Sequence, residues 1–216
     1  MELKRAKGTR DFLSEEAILR LEVENSIREI FELYGFSPVE TPVLERFDVL
    51  AAKFAGGEEI VKEMFTLQDQ GKRKLGLRYD FTVPLARLVA MNPQLKLPFK
   101  RYQIGKNFRD GPLKPGRYRE FTQCDVDIVG ASSVKADAEL ANIAVDVFKE
   151  LKIPAIIKFN NRKVLDAILE EAGVKKSQWV SVILTIDKLA KLGLSSVKKE
   201  LKTKGVDSKA INKITK

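Results

Sequence analysis

Apolar residues first recur at Ala17, Leu21, Ile27, Ile30, Phe31 and Tyr34, near the spacing that lines one face of a helix. The pattern predicts a long helix over about 14–34. Ser14 offers an N-cap hydroxyl, Glu15 and Glu16 suit the positive end of the helix dipole, and Gly35 is a natural stop. Phe36 to Leu44 reads as a strand, but Pro38 and Pro42 lack the N–H a ladder needs, which confines it to a sheet edge or an interface. A short helix reaching Ala55 and a Gly56-Gly57 loop follow. Met64–Leu67 then reads as a strand, Asp69–Lys72 as turn chemistry and Lys74–Tyr79 as the returning strand. Thr82 is a candidate N-cap, Pro84 falls in a first turn, and Leu85, Leu88 and Val89 stripe a helix to about Asn92.

Between Phe99 and Gly130 the period changes to two, so two strands are predicted around a loop punctuated by Gly111-Pro112 and Pro115-Gly116. On the second strand Arg117, Arg119, Phe121, Gln123, Asp125 and Asp127 share one face. A strand facing an apolar core is not written that way; this is the floor of a polar site. Beyond it, Ser132-Ser133 leads into a helix of about 134–151 with Ala138, Ala141, Ile143, Val145, Phe148 and Leu151 on its buried side. Ala155–Phe159 reads as a further strand, and Asn160-Asn161 precedes a helix through Glu171, stopped by Gly173. From Lys175 onward two or three short helices are expected.

The 216 residues suffice for one large domain and a small appendage. No apolar run is long enough to span a bilayer, and the N-terminus has no secretory stretch, so a cytoplasmic protein with no membrane partner is expected. A single cysteine, Cys124, excludes an intrachain disulfide framework. Histidine is absent, which removes any His-based general base, triad or zinc site from this chain; no metal ligands are assigned. Net charge +9 favours anionic partners. The lysine-dense stretch from Lys188 to Lys216 reads first as a solvated surface, with an RNA contact as the second reading.

Charge gives the two-stranded element its chemistry. Lys100, Arg101, Lys106, Arg109, Lys114, Arg117 and Arg119 stand against one acid, Asp110, between positions 100 and 119. Guanidinium forks suit phosphate oxygens and Phe121 could stack on a base, the pairing a nucleoside polyphosphate needs. A solvated hairpin whose charges block edge pairing remains the other reading. Asp80 and Thr82, at a strand-to-helix junction, are either caps or a carboxylate and hydroxyl placed to grip an ammonium group.

Phe108-Arg109, Gly116-Arg117-Tyr118-Arg119-Glu120-Phe121 and Gln123-Cys124-Asp125-Val126-Asp127-Ile128-Val129-Gly130 closely resemble the second signature motif of class II aminoacyl-tRNA synthetases, in the histidyl-tRNA synthetase form of the archaeal/eukaryotic type. The helix and proline-bearing strand up to Leu44-Glu45 resemble the first motif, the family's dimer interface. Tyr79-Asp80-Phe81-Thr82-Val83-Pro84 and Asn161-Arg162 with Leu165 also resemble family segments.

The resemblance implies an α+β fold: an incomplete class II antiparallel sheet flanked by helices, with a catalytic core over 1–174 and a helical insertion region beginning at 175–216. It implies ATP-dependent activation of histidine to histidyl-adenylate and transfer to tRNA(His), in a homodimer joined through residues about 10–45. Arg109 would be catalytic, bridging carboxylate and α-phosphate. Arg117 would hold distal phosphates and Phe121 would stack on adenine. Asp80, Thr82 and Gln123 would grip histidine's backbone atoms, and Asp127 would accept from its imidazole. Mg2+ would arrive with ATP. The motif's usual Arg-x-Glu reads Arg109-Asp110-Gly111 here. The histidine-specific segment, third motif and anticodon-binding domain of the family fall outside these residues, so the resemblance is to the N-terminal catalytic part. Two other readings stand beside it: the regulatory subunit of ATP phosphoribosyltransferase, a synthetase relative without ligase activity, and a non-catalytic RNA-binding or dimerisation module.

Overall fold

The computed structural model describes residues 2–52 and 62–215; the expected end of the short helix at Ala55 and the Gly56-Gly57 loop lie outside them. Two compact units divide the chain, Met1–Ile157 and Lys158–Lys216.

The first unit opens with helix α1 (Ser14–Leu33). Its cap position is Leu13, and no side chain accepts a capping hydrogen bond there, so Ser14 does not act as the N-cap. Gly35, at φ +75°, ends the helix as expected. The predicted 36–44 strand is two strands, β1 (Ser37–Pro38) and β2 (Leu44–Arg46), in different sheets. The two prolines explain the split, because neither can donate to a continuous ladder. After α2 (Phe47–Leu50), β3 (Thr66–Gln68) and β4 (Lys74–Leu77) form a sheet of order β2-β4-β3, antiparallel throughout.

Helix α3 (Thr82–Met91) leads to the long strands β5 (Phe99–Phe108) and β6 (Glu120–Val129), antiparallel over ten residue pairs. β1 adds to β5 in parallel, making a mixed sheet of order β1-β5-β6. Helix α4 (Val134–Glu150) is capped by Ser133, whose Oγ accepts from the Lys135 N–H at 3.2 Å. Parity now decides the layers. The even side chains Tyr102, Ile104, Cys124, Val126 and Ile128 pack with Phe31 and Ile27 of α1 and Ile143, Leu140 and Val147 of α4. That apolar layer leaves the odd face of the sheet for polar work.

The 155–159 segment carries no strand, and Ile156 is 88% exposed. β-rich composition makes a strand only where a neighbour completes the ladder, and none of the described strands pairs with it.

The second unit is helical: α5 (Arg162–Glu171), a single 3-10 turn at Lys176–Gln178, α6 (Trp179–Ile186), α7 (Leu189–Thr203, broken at Gly193) and α8 (Ser208–Ile214). Asn161 caps α5 by accepting from the Lys163 N–H at 2.8 Å. Leu169, Val182, Val197, Leu201 and Ile211 form its core, with Trp179 against them.

Candidate active site

Antiparallel register sets Asn107 opposite Phe121, Gly105 opposite Gln123, Gln103 opposite Asp125 and Arg101 opposite Asp127. All eight occupy the face turned away from α1 and α4. Gly105 is required there: a Cβ would stand 3.2 Å from Arg78 Nη2 and 3.7 Å from the Phe81 ring. The segment around Phe81 and Thr41 buries the β5 part of this face, and the β6 part stays half open.

At the deep end a hydrogen-bond chain fixes the side chains. Asn107 Nδ2 donates to Gln123 Oε1 at 3.0 Å, and Gln123 Nε2 donates to both Asp125 carboxylate oxygens at 2.8 and 3.0 Å. Arg101 is wholly buried. Its Nη2 lies 2.5 Å from Asp127 Oδ2, an ion pair without hydrogen-bond alignment, and its Nε and Nη1 have no hydrogen-bond partner among the described residues. Burial lowers the Arg101 pKa, opposed by the charges of Asp127, Asp125 and Asp80 in that order. Asp127 thus pairs with the buried cation directly, while Asp125 and Asp80 act on it through charge alone.

Burial likewise raises the Asp80 carboxyl pKa, offset by the Val83 N–H and by Arg109; it raises that of Asp125, offset by Gln123 and Arg101. Acids kept above their usual range by desolvation on a half-buried strand face mark a candidate for binding a cationic group.

Asp80, rather than Thr82, does the capping: its Oδ1 accepts from the Val83 N–H at 3.1 Å at the start of α3. Thr82 is exposed and lines a separate cleft of ≈ 510 Å³ with Val83, Ala86 and Ala90.

At the other end Arg109 is placed by its backbone N–H, which donates to Arg119 O at 2.8 Å, and by its Nε, which donates to Tyr79 O at 3.1 Å. Its guanidinium lies 5.0 Å from the centre of the Phe121 ring. Arg109, Gly116, Arg117, Tyr118, Phe121 and Thr122 line a cleft of ≈ 400 Å³. Lys114-Pro115-Gly116-Arg117 closes as a turn, with Arg117 N–H donating to Lys114 O at 2.9 Å and Gly116 at φ +74°, where proline and glycine suit a type II turn. Asp110 pairs with Arg119 at 2.8 Å. Arg117 pairs with Glu63 at 2.7 Å.

The structure thus brings Arg109, Arg117 and Phe121 to one cleft, and Asp80, Gln123 and Asp127 to the Arg101 cluster. The sequence gives no role to Arg101 or Asp125, though it places Asp125 on the polar face and Arg101 among the cations, and it does not single out Asn107 or Glu63. Arg101 and Asp125 carried a signal, since both lie on the polar parity of their strands. Asn107 carried the same parity signal more faintly. Glu63 carried none.

The fold is that of a class II aminoacyl-tRNA synthetase core, shown by its match to a solved histidyl-tRNA synthetase. The histidyl-tRNA synthetase family model matches residues 8–216. The chain is 50% identical over 214 residues to histidine–tRNA ligase 1 of Bacillus cereus, covering 99% of this chain and 49% of that one. With the histidine–tRNA ligase of Aeropyrum pernix it shares 41% identity, covering 96% and 48%. The crystal structure of histidyl-tRNA synthetase from Nostoc sp. PCC 7120 superposes with TM-score 0.85 at 35% identity, over 99% of this chain and 48% of that one. A Bacillus halodurans structure described as an ATP phosphoribosyltransferase regulatory subunit/histidyl-tRNA synthetase has TM-score 0.79 at 21% identity, over 98% and 54%, a likeness of fold. The chain belongs to the histidyl-tRNA synthetase family. It spans about half the length of the curated relatives it matches.

Proposed function

We propose that this chain carries the ATP- and histidine-binding half of a histidine–tRNA ligase active site. The observation that carries the reading is the run from the loop-end cleft, where Arg109 and Arg117 stand beside Phe121, along the odd face of β6 to Asp125 and Asp127. In the proposed reaction the histidine carboxylate attacks the α-phosphorus of ATP and pyrophosphate leaves. The histidyl group then passes to tRNA(His). The work of the protein is positioning and neutralisation of a crowded anionic centre, which preorganised cations supply.

Arg109, in the loop-end cleft with Phe121, bridges carboxylate and α-phosphate. Arg117 meets the distal phosphates. Adenine stacks on Phe121, where stacking worth ~1–3 kcal/mol outweighs the ~0.5–1 kcal/mol of the Arg109 cation–π contact it disturbs. Asp80 and Gln123 face the amino group and carboxylate of histidine, with Thr82 beside them in sequence, and Asp127 accepts from the imidazole. A side chain without that N–H would leave Asp127 unpaired, which is the basis of selection. Magnesium comes coordinated to ATP.

Division of the chain into a core over 1–174 and an insertion from 175 belongs to the same proposal, as does a homodimer through residues about 10–45. Exposed Leu13, Ile18, Leu19 and Leu21 along α1 support that interface. No helix among the described residues is long and apolar enough to cross a membrane; a cytoplasmic site follows from the proposed role in translation. Equilibrium dialysis of radiolabelled ATP tests the nucleotide half. Wild-type chain binds ATP and Arg109→Ala binds it at least tenfold more weakly; no binding, or binding indifferent to Arg109, would overturn the reading.

A further inference from the structure

Glu63 belongs to no strand or helix of the site and lies 54 positions from Arg117, yet it touches the nucleotide loop at three points. Its backbone carbonyl accepts from the Asp110 N–H at 2.7 Å. Its carboxylate oxygens lie 2.9 and 2.7 Å from Arg117 Nη2. The carboxylate also fills the space above Gly111: a Cβ on that residue would stand 2.8 Å from Glu63 Cδ and 2.9 Å from each oxygen. Glycine at 111 leaves the Glu63 carboxylate its present position; any larger residue there would require that side chain to shift.

Only Nη2 of Arg117 is used in this pairing; Nη1 and Nε have no protein partner among the described residues. A guanidinium pinned through one nitrogen keeps its remaining N–H groups available to a phosphate in a fixed orientation, and a fork so preorganised loses less freedom on binding. We propose that Glu63 is a positioning residue for the nucleotide: it orients Arg117 toward the distal phosphates, and Gly111 makes the room for it. The inference rests on the ATP-binding reading above. It predicts an effect confined to polyphosphate, because a nucleotide ending at its α-phosphate does not reach Arg117.

The pair is half exposed, with side chains 46% and 29% accessible for Arg117 and Glu63, so the expected effect is modest, about three- to fivefold. The 216-residue chain is titrated with ATP and with AMP. Glu63→Ala weakens ATP binding about three- to fivefold and leaves AMP binding unchanged. In an Arg117→Ala background the same substitution has no further effect, a coupling that a merely structural role would not show. Gly111→Ala displaces the carboxylate and weakens ATP in the same way, and the double variant Glu63→Ala/Gly111→Glu, which returns an acid to that space, regains wild-type affinity. ATP affinity equal to or tighter than wild type in Glu63→Ala, or an equal loss for AMP, overturns the inference while leaving the ATP site intact. A wild-type chain that binds no ATP overturns the nucleotide reading, and this inference with it.

Discussion

Arg101 and Asp127 face each other across β5 and β6, the guanidinium wholly buried and the carboxylate 32% accessible. The two halves of the pair are not equivalent. Asp127 can be solvated from the cleft; Arg101 cannot, and two of its nitrogens already lack partners among the described residues.

That asymmetry predicts unequal costs on removal. Asp127→Ala leaves a buried cation with less compensation and should destabilise the first unit by ~3 kcal/mol, toward the lower end for a broken buried pair because Asp125 and Asp80 also face Arg101. Arg101→Met removes the buried charge itself and should cost at most ~1 kcal/mol, since apolar replacements of buried ions are often neutral. The double variant should then be more stable than Asp127→Ala alone. Denaturant titration of the four proteins measures the cycle; equal costs for the two single changes would contradict the burial argument.

Cys124 reports on the other face. It packs among the even side chains between β6 and the helices, and burial pushes its thiol up to about 11. At pH 8 the thiolate fraction is then about one in a thousand, against roughly a quarter for a free cysteine. Native chain should react with iodoacetamide at least about a hundredfold more slowly than urea-unfolded chain. Equal rates would place Cys124 on the solvent side and reverse the parity on which the site depends.

Much of this was legible from the chain. The 3.6 period of 14–34, the alternation over 99–130 and the helices expected after Ser132-Ser133 and Asn160-Asn161 are local signals, and these elements formed where their own residues direct them. The polar row from Phe121 to Asp127 was visible because β-strand parity needs no tertiary information. What was hidden depends on distant partners. Residues 36–44 divide between two sheets, and 155–159 lacks a neighbour, facts that composition does not carry. Asp80 caps in place of Thr82 because the helix already begins at Thr82, which leaves the acceptor to a residue before it. Glu63 meets Arg117 across 54 positions, and nothing near it in sequence marks it.

The helical unit offers a separate test through pH. Glu200 sits 2.9 Å from both Lys188 Nζ and Lys204 Nζ, and those partners, Lys204 foremost, hold its carboxyl down to about 2. Lys204 Nζ also donates to buried Thr185 Oγ1 at 2.7 Å. A carboxyl depressed in the folded state contributes stability above its unfolded value of about 4.3 and loses it as pH falls through the folded value. The melting-temperature gap between wild type and Glu200→Gln should therefore be full at pH 6–7, shrink below about pH 4.5 and vanish near pH 2. Fluorescence of Trp179, the one tryptophan of the chain and part of this unit, follows it. A gap independent of pH would show that the lysine pairing contributes nothing.

The most direct test of a single β6 face that reads ATP at one end and imidazole at the other is calorimetric titration of histidine into wild-type and Asp127→Asn chains. Asparagine keeps the side chain's shape and spares Arg101 some of the disruption alanine would bring. The account predicts that wild type binds histidine and not alanine, and that Asp127→Asn binds histidine at least tenfold more weakly. No histidine binding by the wild-type chain, or equal affinity in the two proteins, would contradict it.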